Sequence, residues 1–135
     1  MTYRQNLGNF GEDIACDFLI KNKYKIIERN FRKPWGEIDI ICKAPDKTLV
    51  FVEVKTLRQM ASTELSRMSS GQAPEEQLSP EDQLTKSKLL KIQKTALLYA
   101  GHFPEKISNE KGWRIDLIAI TFSHEEHSIK HYQNI

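Results

Sequence analysis

Three side chains stand where their surroundings argue against them. The runs IDIIC (38–42) and LVFVEV (49–54) are built of Ile, Val, Leu, Phe and Cys, the residues of a buried sheet, yet Asp39 lies in the first, Glu53 in the second, and Lys55 follows two positions later. Side chains alternate along a strand, so Glu37, Asp39 and Ile41 share one face, and Phe51, Glu53 and Lys55 share another. Between the runs, APDK (44–47) has the chemistry of a turn, which makes the pair an antiparallel hairpin. With the turn centred near Asp46, Asp39 lies opposite Glu53, and the same register sets Glu37 against Lys55. All four ionisable groups then project from one side of the hairpin.

Two carboxylates at that distance repel, and burying either costs several kcal/mol. A divalent cation answers both problems. Mg²⁺ takes hard oxygen ligands, accepts one or two carboxylates, and leaves positions for water and a substrate phosphate. Lys55 can then hold a phosphate oxygen or orient and activate an attacking water. An E-x-K triplet alone is an ordinary salt-bridge pattern. An acid in one apolar strand, a hairpin, and E-x-K on the matching face of the next is a more specific combination.

The flanking elements must position these groups. Residues 5–22 are predicted to be helical, with Leu7, Gly11, Ile14, Ala15 and Phe18 on one stripe. Glu12 falls near the edge of that stripe and by spacing alone is a solvated helix carboxylate. YKIIERNFR (24–32) is a short edge strand or crossover, WGEIDIICK (35–43) and TLVFVEVKT (48–56) are strong strands, and residues 57–82 are a long mobile loop. A second helix covers 83–100, with Leu89, Leu90, Ile92, Ala96, Leu97, Tyr99 and Ala100 on one broad arc. GWRIDLIAITF (112–122) is a third strong strand, and 127–135 a weak terminal one. The order α-β-β-β-α-β predicts a single α/β domain over 1–135.

At 135 residues with 28% charged and 39% hydrophobic side chains, the chain has the composition of a soluble globular domain. The net charge of +2 does not announce a nucleic-acid binder, but residues 57–82 carry −3, leaving about +5 on the remainder, enough to accept phosphate. Cys16 and Cys42 give neither a disulfide framework nor a CxxC metal motif, which fits a reducing compartment. No apolar run approaches a membrane span or a signal-peptide core, and a cytoplasmic location is expected. Other features have plainer readings. His124, His127 and His131 with Glu125 and Glu126 form a solvated turn and strand. Arg114 and Asp116 pair structurally across the sheet, with Asp116 near water at the strand's entry. Arg29, Arg32 and Lys33 line a phosphate path or a plain solvated surface. Trp35 and Trp113 are packing residues, although an exposed Trp35 could stack on a base.

The spacing D-x₁₃-E-x-K across a hairpin resembles the core of PD-(D/E)XK nucleases, the restriction-endonuclease-like fold. An early G-x-x-G-E helix, then ERNFR, GEIDII, VFVEVK, a T-x-x-K helix start and DLIAI resemble, in order and over nearly the whole chain, the YraN-type family of small predicted endonucleases, distantly similar to archaeal Holliday-junction resolvases. The resemblance implies a restriction-endonuclease-like core, a mixed central sheet flanked by helices, with Asp39 and Glu53 as ligands of Mg²⁺ or Mn²⁺, the Val54 carbonyl as a further oxygen and Glu12 approaching the same site. It implies Lys55 as the catalytic lysine and Lys88 as a phosphate contact. Glu37 fits the motif, supporting Lys55 or the strand turn, or binding metal. The family's arginine two residues after the motif lysine is replaced by Leu57, with Arg58 next as a nucleic-acid contact beside Arg32.

The expected function is metal-dependent hydrolysis of DNA phosphodiesters. The resolvase likeness points to branched or structured DNA, and junction cutting calls for a homodimer. The rival reading is a nuclease-fold module that binds nucleic acid or protein without cutting. A third is a purely structural salt-bridge network with no metal affinity.

Overall fold

Helix α1 (Tyr3–Lys21) leads into strands β1 (Lys25–Lys33), β2 (Gly36–Lys43) and β3 (Leu49–Arg58), then helix α2 (Lys86–His102), a 3₁₀ turn at Pro104–Lys106, and strands β4 (Trp113–Ser123) and β5 (Glu126–Tyr132). The computed structural model describes residues 3–58, 84–124 and 126–135. Beyond Leu57 and Arg58, which end β3, the expected loop at 57–82 lies outside the described residues.

The five strands lie in chain order across one sheet. β3 and β4 are parallel, as a strand–helix–strand crossover requires, and the other neighbours are antiparallel. Helix α1 covers one face, where Ala15, Cys16 and Leu19 pack on Ile40, Cys42, Val50, Val52, Ile118 and Ile120. Helix α2 covers the other, where Ile92, Ala96 and Tyr99 pack on Ile41, Leu49, Phe51 and Ile115. Central β3 is therefore buried on both sides, which is why its sequence is almost continuously apolar. This is the mixed sheet and flanking helices of a restriction-endonuclease-like fold. The terminal strand is firmer than expected: β5 pairs with β4 from Glu126 to Tyr132. Among the described residues no helix is long and apolar enough to cross a membrane.

Helix α2 buries a narrower stripe than its composition suggested. Ile92, Thr95, Ala96 and Tyr99 are buried, whereas Leu90 and Leu97 are 57% and 60% exposed. A single helix laid on a sheet offers it about one row of side chains per turn, and Leu90 and Leu97 lie outside that row. Thr95 holds the central place because the tip of the β1–β2 hairpin presses there. A Cβ on Gly36 would collide with Thr95 Oγ1, and Thr95 is held by donating to the Lys91 carbonyl at 2.9 Å. Gly36→Ala is expected to destabilise the protein by about 1–3 kcal/mol, the usual cost of overpacking. In a Thr95→Ala background the same change should be nearly neutral, because the colliding atom is gone. Equal losses in both backgrounds, measured by urea denaturation, would refute the contact.

Candidate active site

The hairpin that carries the acids opens into a fork. The β2–β3 ladder runs from Lys43↔Leu49 to Ile40↔Val52 and ends there. Beyond it β2 continues beside β1 to Gly36, and β3 continues beside β4 to Arg58. The fork leaves Val54 N–H without a ladder partner on β2, and the Asp39 carboxylate accepts it at 2.8 Å. Asp39 thus bridges the strands with its side chain just where their backbones part.

Strand alternation also breaks at this residue. Ile40 packs toward α1, whereas Ile38, two positions earlier, packs toward α2. On β1 the partners Arg29↔Ile40 and Phe31↔Ile38 leave Asn30 opposite Asp39, and Asn30 has φ +53°. That left-handed conformation is one asparagine tolerates and β-branched residues do not. Asn30 also lies near the Glu12 side chain and pulls its carboxyl down, against the effect of burial. Sequence reasoning passed over Asn30; an asparagine inside the strand pattern KIIERNFR was the available signal.

The carboxyl groups of Asp39 and Glu53 are neighbours in the fork. Burial, and then the neighbouring Glu53 charge, push the Asp39 carboxyl up to about 8, with a smaller push from Glu12 and an opposing pull from Val54 N–H. Two lysines face the pair. Lys88, from the first turn of α2, places Nζ 2.7 Å from Glu53 Oε1. Burial alone would lower Lys88, but its hydrogen bond to Glu53 and that residue's charge raise it. Lys55 is lowered, first by burial and then by the adjacent Lys88 ammonium. A lowered amine two residues from a carboxylate pair is suited to accept or relay a proton.

Glu12 enters from α1. Its Oε2 is buried with no hydrogen-bond partner among the described residues, and Arg29 Nη2 stands 3.9 Å away. Burial raises Glu12, against the pull of Arg29. Arg29 itself is engaged by Asp13 at 2.8 Å. Glu12 is close enough to act on Asp39 electrostatically, yet among the described residues no three His, Cys, Asp or Glu side chains converge as a metal-binding group. The available donor set is the Asp39–Glu53 pair with the Val54 carbonyl.

Glu37 departs from its expected position. The register that would set it against Lys55 ends at Ile40↔Val52, so Glu37 lies opposite Arg32 on β1 and makes a loose, exposed ion pair with it at 3.7 Å. It still lines a cleft of about 370 Å³ with Gly36, Glu53, Thr85, Lys88 and Lys91. Arg58 is exposed at the end of β3, opposite Phe122.

A second polar cluster lies behind the sheet. Asp116 is fully buried, not near water, and Arg114 binds it along the same strand (Nε–Oδ1 2.9 Å), not across the sheet. His131 Nε2 lies 2.7 Å from Asp116 Oδ2, Asn134 N–H donates to Oδ1 at 3.0 Å, and Arg114 Nη2 donates to the Tyr24 hydroxyl at 2.9 Å. His131, expected in a solvated turn and strand, is thus drawn into the interior. Trp113 packs edge-on against Phe51 as expected, with ring centres 5.5 Å apart. Trp35, expected to pack, is 41% exposed.

Comparison with known sequences matches residues 11–120 to the uncharacterised protein family UPF0102. That span includes Glu12, Asp39, Glu53, Lys55 and Lys88. A UPF0102 protein of Geobacter metallireducens is 36% identical over 132 residues, covering 98% of this chain and 93% of its own length. One from Syntrophomonas wolfei is 39% identical over 100 residues, covering 74% and 73%. One from Clostridium botulinum strain Loch Maree is 36% identical over 133 residues, covering 96% and 93%. A match of this extent, through both helices and the forked hairpin, places the chain in the UPF0102 family.

Proposed function

We propose that the protein is a metal-dependent nuclease of the PD-(D/E)XK type that hydrolyses DNA phosphodiesters. The observation that carries this reading is the Asp39–Glu53 carboxyl pair in the fork, with Lys55 two residues beyond. Two neighbouring carboxyls and the Val54 carbonyl would be a hard-oxygen set of the kind Mg²⁺ or Mn²⁺ accepts, and the orphaned Glu12 Oε2 would accept from an attacking water. Asp39, Glu53 and the Val54 carbonyl would hold the ion, which supplies Lewis-acid stabilisation of charge on the phosphate. Lys55 orients the attacking water and takes up its proton. Lys88, released from Glu53, neutralises a phosphate oxygen. Arg32 and Arg58, both exposed, would contact the DNA backbone. Branched DNA as substrate and a two-copy assembly follow from the resolvase likeness, and two buried free cysteines fit a reducing cytoplasm.

The Lys88–Glu53 ion pair favours one rival, a module that binds nucleic acid without cutting, because a lysine already neutralises one of the acids. Incubation with linear, single-stranded and four-way-junction DNA in Mg²⁺ or Mn²⁺, beside a Glu53→Ala control, separates the two. The nuclease reading expects cleavage, with a loss of about a thousandfold or more in the control. DNA binding without cleavage, and no metal uptake by titration calorimetry with or without DNA, would establish the rival.

A further inference from the structure

Trp35 projects from the β1–β2 hairpin beside the carboxylate cleft and is 41% exposed. Among the described residues it makes no ring–ring or cation–π contact, whereas Trp113 is packed on Phe51. Leaving so large an apolar surface in water forfeits burial that the fold could have used. Its position is nevertheless fixed. Lys33 pairs with Gly36, so Pro34 and Trp35 form a two-residue turn, and Gly36 is wedged against Thr95 of α2.

Cationic side chains stand close to the ring in sequence and in the adjoining cleft. Arg32 and Lys33 precede it and are exposed, and the cleft is lined by Lys88 and Lys91 together with Gly36, Glu37 and Glu53. The first turn of α2 carries no acidic residue, the reverse of the usual preference at the positive end of a helix. An exposed aromatic ring one residue from a cleft that carries two lysines matches the means by which proteins hold single strands: cations on the phosphates and a ring under the base. From the turn that precedes β2, Trp35 stands four residues from Asp39, roughly 13 Å at strand rise, a span of a few nucleotides.

We propose that Trp35 is a base-stacking platform, and that the site takes nucleic acid with an unpaired base within a few nucleotides of the phosphate held at Asp39 and Glu53. A base inside an intact duplex has both faces covered by its neighbours and cannot stack on the ring. Single strands, gaps, flaps and junctions can. The inference rests on the nuclease reading for the location of the reactive phosphate, and it narrows that reading's substrate class.

The test uses the full chain in EDTA, so that no cleavage intervenes. With Trp113→Phe, Trp35 becomes the sole tryptophan. Oligothymidine and a duplex with a short internal gap should quench its emission, and an intact hairpin duplex should not. Independently, in an otherwise unchanged protein, Trp35→Leu should weaken binding of labelled oligothymidine by roughly 5- to 100-fold in fluorescence anisotropy, the range for loss of one stacked base. Trp35→Phe should recover part of the loss. Unchanged affinity in Trp35→Leu, equal quenching by intact duplex, or no binding of any of these probes would overturn the inference. The two readings fail separately. Quenching with lost affinity but no cleavage in Mg²⁺ or Mn²⁺ leaves the platform standing and removes the nuclease. Cleavage with Trp35→Leu binding as tightly as the parent does the opposite.

Discussion

Replacing Asp39 by asparagine is expected to end metal-dependent cleavage of DNA while raising the protein's resistance to unfolding at pH 8. The two effects have one cause. Asp39 is held in the fork beside Glu53, and burial with that neighbouring charge carries its carboxyl up to about 8. In the unfolded chain the same group ionises near 4. Between those values the folded protein holds a proton that the unfolded chain releases, so stability falls as pH rises from about 4 to about 8 and levels off above. Asparagine removes the titration. Its amide oxygen can still accept Val54 N–H, and its NH₂ can donate to Glu53 where the Asp39 carboxyl now meets it. The gain should be near zero at pH 4 and about 1–3 kcal/mol at pH 8, within the ordinary range for one substitution. Urea denaturation at the two pH values measures it, and titration calorimetry should show metal uptake lost. In the parent protein, metal affinity should climb with pH toward 8, since the ion must displace the Asp39 proton. If Asp39→Asn were less stable than the parent at pH 8, Asp39 would be a structural acid and the metal argument would lose its basis.

Asp116 should behave in the opposite way. It too is a buried strand carboxylate, but every neighbour satisfies it: Arg114, His131 and the Asn134 amide all bind it. Burial would raise it, yet these hydrogen bonds and the Arg114 charge prevail and hold it below the usual carboxylate range. Its stabilisation is therefore complete above about pH 4 and drains as pH falls through the lower folded value. Asp116→Ala leaves Arg114 and His131 facing each other without their anion, and is expected to cost about 3–5 kcal/mol, the penalty for removing one member of a buried pair. That is a large share of the roughly 5–15 kcal/mol that holds a domain together. Asp116→Asn keeps the shape and loses the charge, so it should cost less and flatten the acid limb of the unfolding profile. A change within about 0.5 kcal/mol for Asp116→Ala would mean that the network does not anchor the C-terminal strand.

The contrast between these acids shows where sequence reading stops. Asp39 and Glu53 were legible because they interrupt apolar runs at matched strand positions across a short turn, and local pattern fixes register in a tight hairpin. Asp116 interrupts its run in the same way, but beyond nearby Arg114 its partners come from His131 and Asn134. Sequence spacing carries no information on which of many distant polar groups will meet a given side chain. His131 was set aside with its neighbours for that reason. The Glu37–Lys55 pairing failed for a related one. Extrapolating a register assumes that two strands stay together, whereas here each leaves the other to follow its second neighbour.

The sequence by itself determined the elements, the hairpin and the nearness of Asp39 to Glu53, because strand patterning and turn chemistry act over a few residues. Only the tertiary structure decided that the hairpin opens at those acids, that Asn30 turns the strand beside them, that Lys88 reaches Glu53 from the far side of the sheet's crossover, and that Trp35 stays in solvent. Each of these depends on which elements compete for the same backbone edge or the same patch of surface, and that competition is settled only when the sheet and both helices pack together.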